Sequence, residues 1–152
     1  MGLGTPHWDY GARGTVLGLT RGTGREHLVR AVLEGVANRG ADLVDAAVAD
    51  AGLAVPSLRI DGGMSENPTF VRALADATGL PVEVSRYTEA TTIGAAYLAG
   101  MAVGVWQGWD DVAAVWQPRQ VVEPAGRTDR AAWARAVERA RGWIPDLSAL
   151  DF

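Results

Sequence analysis

The sequence predicts an α/β fold built on a parallel sheet, and three observations carry the prediction. Two short strand-like runs, Leu58–Ile60 and residues 81–84, each lead into a segment of helical periodicity, the alternation that builds parallel sheets. A paired glycine, Gly62-Gly63, directly follows the first strand, at the carboxyl end where open α/β sheets bind ligands. The chain has 152 residues and is 48% hydrophobic, enough for one domain with a sizeable core.

Residues 1–13 read as an irregular lead-in, and residues 15–19 (TVLGL) as a short strand. Thr23 and Glu26 stand three apart, the spacing of a reciprocal helix cap, so a long helix is expected over residues 24–51. Leu28, Ala31, Val32, Leu33, Val36, Leu43, Val44, Ala47 and Val48 give it an inward apolar stripe. Gly35 and Gly40 lie inside it, each costing about 1 kcal/mol relative to Ala; close packing, or a bend near Gly40, would explain them. Gly52 ends the helix.

After the strand Leu58–Ile60, a second helix is expected over Pro68–Thr78, stopped by Gly79. A third begins after Thr92 and reaches about Val105. Its small residues Gly94, Ala95, Ala96, Gly100 and Gly104 suit core packing, and Glu89 and Thr92 suit its polar start. A short helix is expected over residues 110–116 and a plain connector over residues 117–127. Thr128 or Asp129 caps a last helix, residues 130–142, with Trp133 and Val137 inward; residues 144–152 read as irregular. Trp106, Trp109, Trp116, Trp133 and Trp143 look like packing residues between that helix and the rest. The expected divisions are 1–13, 14–106 as the α/β core, 107–128 as short helix and connector, and 129–152 as closing helix and tail.

Composition excludes several functions. There is no cysteine, hence no disulfide, Cys-zinc site or thiol chemistry. The net charge is −4, lysine is absent and the arginines are scattered among acids, so a nucleic-acid partner is not expected. His7 and His27 lack metal-ligand spacing. The longest apolar run, residues 93–106, is about 14 residues against the roughly 20 of a membrane span. With no signal peptide at the start, the expected location is cytoplasmic, away from membranes.

The best site candidate is the turn 61–68, DGGMSENP. Paired glycines let a flat ring or a phosphate approach the backbone, and a helix N-terminus follows. The same residues also read as a plain turn with Asn67 as N-cap and Pro68 in the first helical position. Sequence physics leaves both open, and Asn67 could serve both. Residues 18–24 are glycine-rich, but lack the phosphate-loop lysine and the G-x-G-x-x-G spacing, so a connector is the better reading.

Taken together, these motifs resemble the FGGY carbohydrate kinases, and among them the glycerol kinases. Pro6-His7-Trp8-Asp9, Ala12-Arg13-Gly14 and the run from Gly18 to Thr23 are similar to P-Y-W-D…A-R-G…G-L-T-R-G. His27-Leu28 and the run from Ala31 to Glu34 fit the same family's C-terminal signature. Residues 88–100 resemble T-E-x-T-A-L-G-A-A-Y-L-A-G, and Ala132-Trp133 the family's end. His7 stands where the pattern has Tyr, and Asn38 and Gly40 depart from it in the long helix.

The resemblance implies an actin-like (ribonuclease H-like) ATPase domain, incomplete and lacking its N-terminal hairpin strands. It implies Gly62, Gly63 and Asn67 as nucleotide-binding residues at the adenine, with ATP and Mg2+ as cofactors and ATP/ADP and glycerol as partners. It also implies that phosphate cradling, the Mg2+ site, the glycerol contacts and the proton-accepting carboxylate come mainly from the family's N-terminal half. The chain is therefore expected to form the adenine-side portion of an ATP-dependent glycerol kinase, not catalytic by itself and prone to form homo-oligomers. The alternatives are a piece of another FGGY sugar kinase or a non-catalytic remnant.

Overall fold

A three-stranded sheet of order β1-β2-β3 organises the computed structural model, which describes residues 2–148. Strand β1 (Leu58–Ile60) pairs in parallel with β2 (Val82–Val84), in the register Leu58 to Val82 and Ile60 to Val84. Strand β3 (Gln120–Val122) then pairs antiparallel with β2, Val82 opposite Val122 and Val84 opposite Gln120. The sheet is thus mixed rather than parallel, and part of the expected connector is a strand. Three residues beside Pro118 and Pro124 are too short to show a period; only the exposed edge of β2 selects them.

Strand alternation sets the core. Val82 and Val84 are fully buried, while Glu83 between them faces the other way. Helix α2 (Pro68–Thr78) lays Phe70, Val71, Leu74 and Ala75 on the Val82 face, where Val122 and Ala37 complete the cluster. Its bounds are those expected: Asn67 Oδ1 accepts the N–H groups of Thr69 and Phe70 at 3.0 and 3.1 Å, and Gly79 closes it with φ 68°. On the opposite face, Glu83 accepts the Trp116 indole N–H at 2.8 Å and the Ser57 hydroxyl at 2.8 Å. Those two bonds, with Arg59 beside them, outweigh burial and hold its carboxyl below the usual range.

Helix α1 (Arg25–Ala51) packs against α2 through its small residues. Ala37 and Ala41 are buried, and a β-carbon at Gly40 would come 2.9 Å from Leu74 Cδ1, which explains that glycine by close approach. The expected stripe is corrected here: Leu28, Val32, Val36 and Leu43 are exposed. The cap is corrected as well. Thr23 Oγ1 accepts the Thr20 N–H at 3.0 Å, and Gly24 is the N-cap, its N–H donated to His27 Nδ1 at 3.0 Å.

Residues 12–20 form no helix or strand, so the expected strand at 15–19 is overturned. Strands exist only by pairing, and the backbone of residues 16–19 has no hydrogen-bond partner among the described residues. Val16 and Leu17 stay 57% and 47% exposed. With Leu28, Val32 and Val36 they line a groove of about 690 Å³ beside Trp133 and Val137.

Helix α3 (Ala90–Ala102) starts earlier than expected and buries only Gly100, so the core packing expected of it is not found. Instead the chain folds back, and the Trp106 ring covers Gly100 and meets Tyr97 edge-on at 5.1 Å. Helix α4 (Trp109–Ala114) leads to β3. Helix α5 (Arg130–Ala140) is capped by Asp129, whose side chain accepts the Ala132 N–H at 2.8 Å. It docks on α1 by polar contacts. Asp42 accepts Arg130 Nη2 at 2.5 Å, Arg39 Nη1 at 2.7 Å and Trp133 Nε1 at 3.0 Å. Burial would raise the Asp42 carboxyl, but these three donors outweigh it and hold it low. Trp133 is thus the tryptophan that joins the last helix to α1, whereas Trp109 and Trp143 are exposed.

The lead-in is more ordered than expected. Asp9 is buried and accepts the Gly11 and Ala12 N–H groups within its own turn, and from far along the chain the Gly142 N–H at 2.8 Å and the Ser148 hydroxyl at 2.5 Å. A short helix α6 (Pro145–Ser148) carries Ser148, where irregular chain was expected; residues 149–152 lie outside the described residues. Among the described residues, no helix is long and apolar enough to cross a membrane.

Candidate functional site

The turn that joins β1 to α2 places Gly62, Gly63 and Asn67 in one continuous feature at the carboxyl end of β1. Ile60 is the last strand residue and Gly62 turns the chain with φ 82°, a conformation that favours glycine. Residues 63–66 then make one 3-10 turn, and Asn67 opens α2. Gly63 is exposed, Gly62 and Asn67 are half-buried, and nothing lies within 4 Å of where a β-carbon would stand on either glycine. A flat surface is therefore left bare over two peptide units.

The first two residues of the turn are tied to the start of α3. The Gly62 N–H donates to the Thr88 carbonyl at 3.1 Å, and Asp61 Oδ2 accepts the Ala90 N–H at 3.1 Å. Inside the turn, the buried Ser65 donates its hydroxyl to the Gly62 carbonyl at 2.7 Å. On the outer side, Glu66 is held by Arg119 at 2.6 and 2.8 Å.

Asn67 uses one side-chain polar atom and leaves the other open. Its Oδ1 is committed to the cap, whereas Nδ2 has no partner among the described residues. The carboxamide thus keeps two N–H donors for an external acceptor. That is a fit for a planar heterocycle with ring-nitrogen acceptors, lying over the open glycines. A concavity of about 510 Å³ adjoins the turn, lined by Ser65, Glu66, Arg72 and Arg119 among others; Gly62, Gly63 and Asn67 stand outside it.

Residues 18–24 offer less. Thr20, Gly22 and Thr23 satisfy one another by local hydrogen bonds, as a connector does. Among the described residues, no cluster of three or more His, Asp or Glu is arranged to hold a metal ion. Sequence reasoning gave Asp61 no role of its own and missed Arg119, which holds the turn from outside. Asp61 was visible in the DGG motif, while Arg119 lies in a segment with no motif at all.

Comparison with known proteins gives the family. Residues 1–103 match the FGGY family of carbohydrate kinases, C-terminal domain. The chain is 45% identical over 154 positions to a glycerol kinase of Deinococcus radiodurans, an alignment that covers 98% of this chain and 31% of that protein. The fold superposes on the glycerol kinase of Plasmodium falciparum, solved with ADP, with a TM-score of 0.78 and 37% identity over 91% of this chain and 29% of the other. A xylulose kinase from Rhodospirillum rubrum superposes with a TM-score of 0.63 at 30% identity, over 91% of this chain and 26% of that one. The chain thus spans about 30% of the length of the glycerol kinases it matches.

Proposed function

The chain belongs to the FGGY family of carbohydrate kinases, and on that premise we propose that it forms the adenine-side portion of an ATP-dependent glycerol kinase. The parent reaction is transfer of the γ-phosphoryl group of ATP to glycerol, giving ADP and glycerol 3-phosphate. The observation that carries the reading is the free Asn67 amide beside the two bare glycine peptides.

In this reading the turn binds and orients the base. Gly62 and Gly63 let the purine lie against the backbone, because no β-carbon holds it off. Asn67 Nδ2 donates to a ring nitrogen, and the cap on Thr69 and Phe70 fixes the carboxamide so that little rotamer freedom is lost on binding. ATP would supply the transferred phosphoryl group, and Mg2+, when bound, would neutralise the charge that develops on it. Mg2+, the phosphates, glycerol and the carboxylate that takes the hydroxyl proton belong mainly to the rest of the enzyme. The turn alone keeps few of the contacts, so ADP affinity should be about millimolar, or about −4 kcal/mol.

The test is a titration of the isotopically labelled chain with ADP, followed by NMR. Amides of residues 61–67 should shift first. Shifts confined to residues 18–24 would move the nucleotide to the other glycine loop and overturn the assignment.

A further inference from the structure

We infer that Arg119 is a positioning residue for the nucleotide turn, acting through Glu66 and Ser65. The inference rests on the reading of residues 61–67 as an adenine-binding turn.

Arg119 is seated by the sheet. Its backbone N–H donates to the Val84 carbonyl at 2.8 Å, immediately before β3 begins. From that anchored position its side chain crosses to the turn that follows β1. Nη1 lies 2.6 and 2.8 Å from the two oxygens of Glu66, and Nη2 lies 3.4 Å from the Ser65 carbonyl. Ser65 in turn donates its hydroxyl to the Gly62 carbonyl at 2.7 Å. A continuous chain of polar contacts therefore runs from β3 to the glycine whose left-handed φ aims Gly63. Glu66 also directly precedes Asn67, so the same clamp sets the start of the carboxamide residue.

The turn needs such an anchor because two adjacent glycines leave it conformationally permissive. Guanidinium suits the task, since its planar fork reaches two acceptors at once, Nη1 the Glu66 carboxylate and Nη2 the Ser65 carbonyl, where an ammonium acts as a point charge. Both partners are nearly half exposed, 39% and 48% at the side chain, so the pair itself adds little to stability. Its effect falls on where the turn sits, and the two effects are separable by experiment.

Adenosine is the probe, because without phosphates it has no Coulombic attraction to the guanidinium. It is titrated by NMR into the wild-type chain and into Arg119→Ala, Arg119→Lys, Glu66→Gln and the double exchange Arg119→Glu with Glu66→Arg. Arg119→Ala and Glu66→Gln should weaken adenosine binding three- to tenfold and shift the Gly62 and Gly63 amides of the free chain, with Tm unchanged. Arg119→Lys should recover part of the loss, and the double exchange more of it. If the wild type shifts at 61–67 but the variants bind adenosine equally well, the positioning role is overturned and the nucleotide turn stands. If affinity falls only in step with Tm, Arg119 is merely structural and the inference fails. If the wild type shows no shift at 61–67, the adenine reading fails and takes this inference with it.

Discussion

Asp61 caps a helix that begins 29 residues later: its Oδ2 accepts the Ala90 N–H at 3.1 Å, while Glu89, the residue in the N-cap position of α3, makes no side-chain capping bond. The acid of the DGG motif thus binds the turn after β1 to the helix after β2. Asp61→Ala should destabilise the chain by about 0.5–2 kcal/mol, the range for loss of a helix cap. Asp61→Asn, which keeps an acceptor oxygen, should cost less. Urea unfolding checks the order, and equal losses in both variants would mean that charge rather than the acceptor matters.

Asn67 separates stability from binding. Asn67→Ala removes the acceptor for Thr69 and Phe70 and should cost about 0.5–2 kcal/mol. Asn67→Asp keeps that acceptor but has no N–H donors, so it should melt like the wild type while losing ADP-induced shifts at 61–67. An aspartate variant that binds ADP normally would show that the amide donors are not used.

The chain alone should not phosphorylate glycerol. Its described residues offer the proposed base-binding turn, and phosphoryl transfer further requires phosphate cradling, Mg2+ and a proton acceptor. A coupled assay with ATP and glycerol should show no glycerol-dependent ADP above a no-protein control. Turnover by pure protein would overturn the division of labour proposed above.

The unpaired backbone at residues 16–19, beside the apolar groove with Leu28, Val32 and Val36, should make the chain self-associate. Helix content by circular dichroism should be near normal, with a broad thermal transition and light scattering that rises with concentration. Leu17→Lys should lower the scattering. A monodisperse monomer with a sharp transition at high concentration would sink this expectation.

Local chemistry made α2 and the candidate turn readable in the sequence. Asn67, Pro68 and Gly79 each act within a few residues of themselves, so the helix bounds follow from composition alone. What depends on distant partners was not readable. Residues 15–19 have strand-like residues but no strand beside them, and β3 has a neighbour but no pattern. The apolar stripe of α1 was visible, yet Gly40 against Leu74 decides which side packs, and that contact is 34 residues apart in the chain. Glu26 promised a capping box, but Thr23 turned its hydroxyl to Thr20 and left the role to Gly24 and His27. In the candidate turn, the capping role of Asn67 was legible because it is local, and Arg119 was missed because 53 residues separate it from Glu66.

Acid should open the junction around Asp9. The Ser148 hydroxyl and the Gly142 N–H hold its carboxyl below the ordinary value of 3.8. A carboxyl depressed in the folded state stabilises that state above the ordinary value and loses its contribution as pH falls through the lower, folded one. The Gly142 and Gly11 amide resonances should therefore stay constant down to about pH 4 and move together below it. Asp9→Asn should abolish that transition; its persistence would assign the titration to another group.

The Asp9 junction also orders events during synthesis. Its distant donors, Gly142 and Ser148, lie 133 and 139 residues further along the chain. At roughly 5–20 residues per second, a ribosome takes roughly 7–28 s to make that stretch. Throughout that time the Asp9 carboxylate has only the Gly11 and Ala12 N–H groups at hand. The sheet core, whose last strand ends at Val122, is translated before the junction can close. Residues 2–13 are thus translated long before they can be locked, and a released chain that stops before residue 142 should leave them open to protease while the Val82–Val84 strand is already protected.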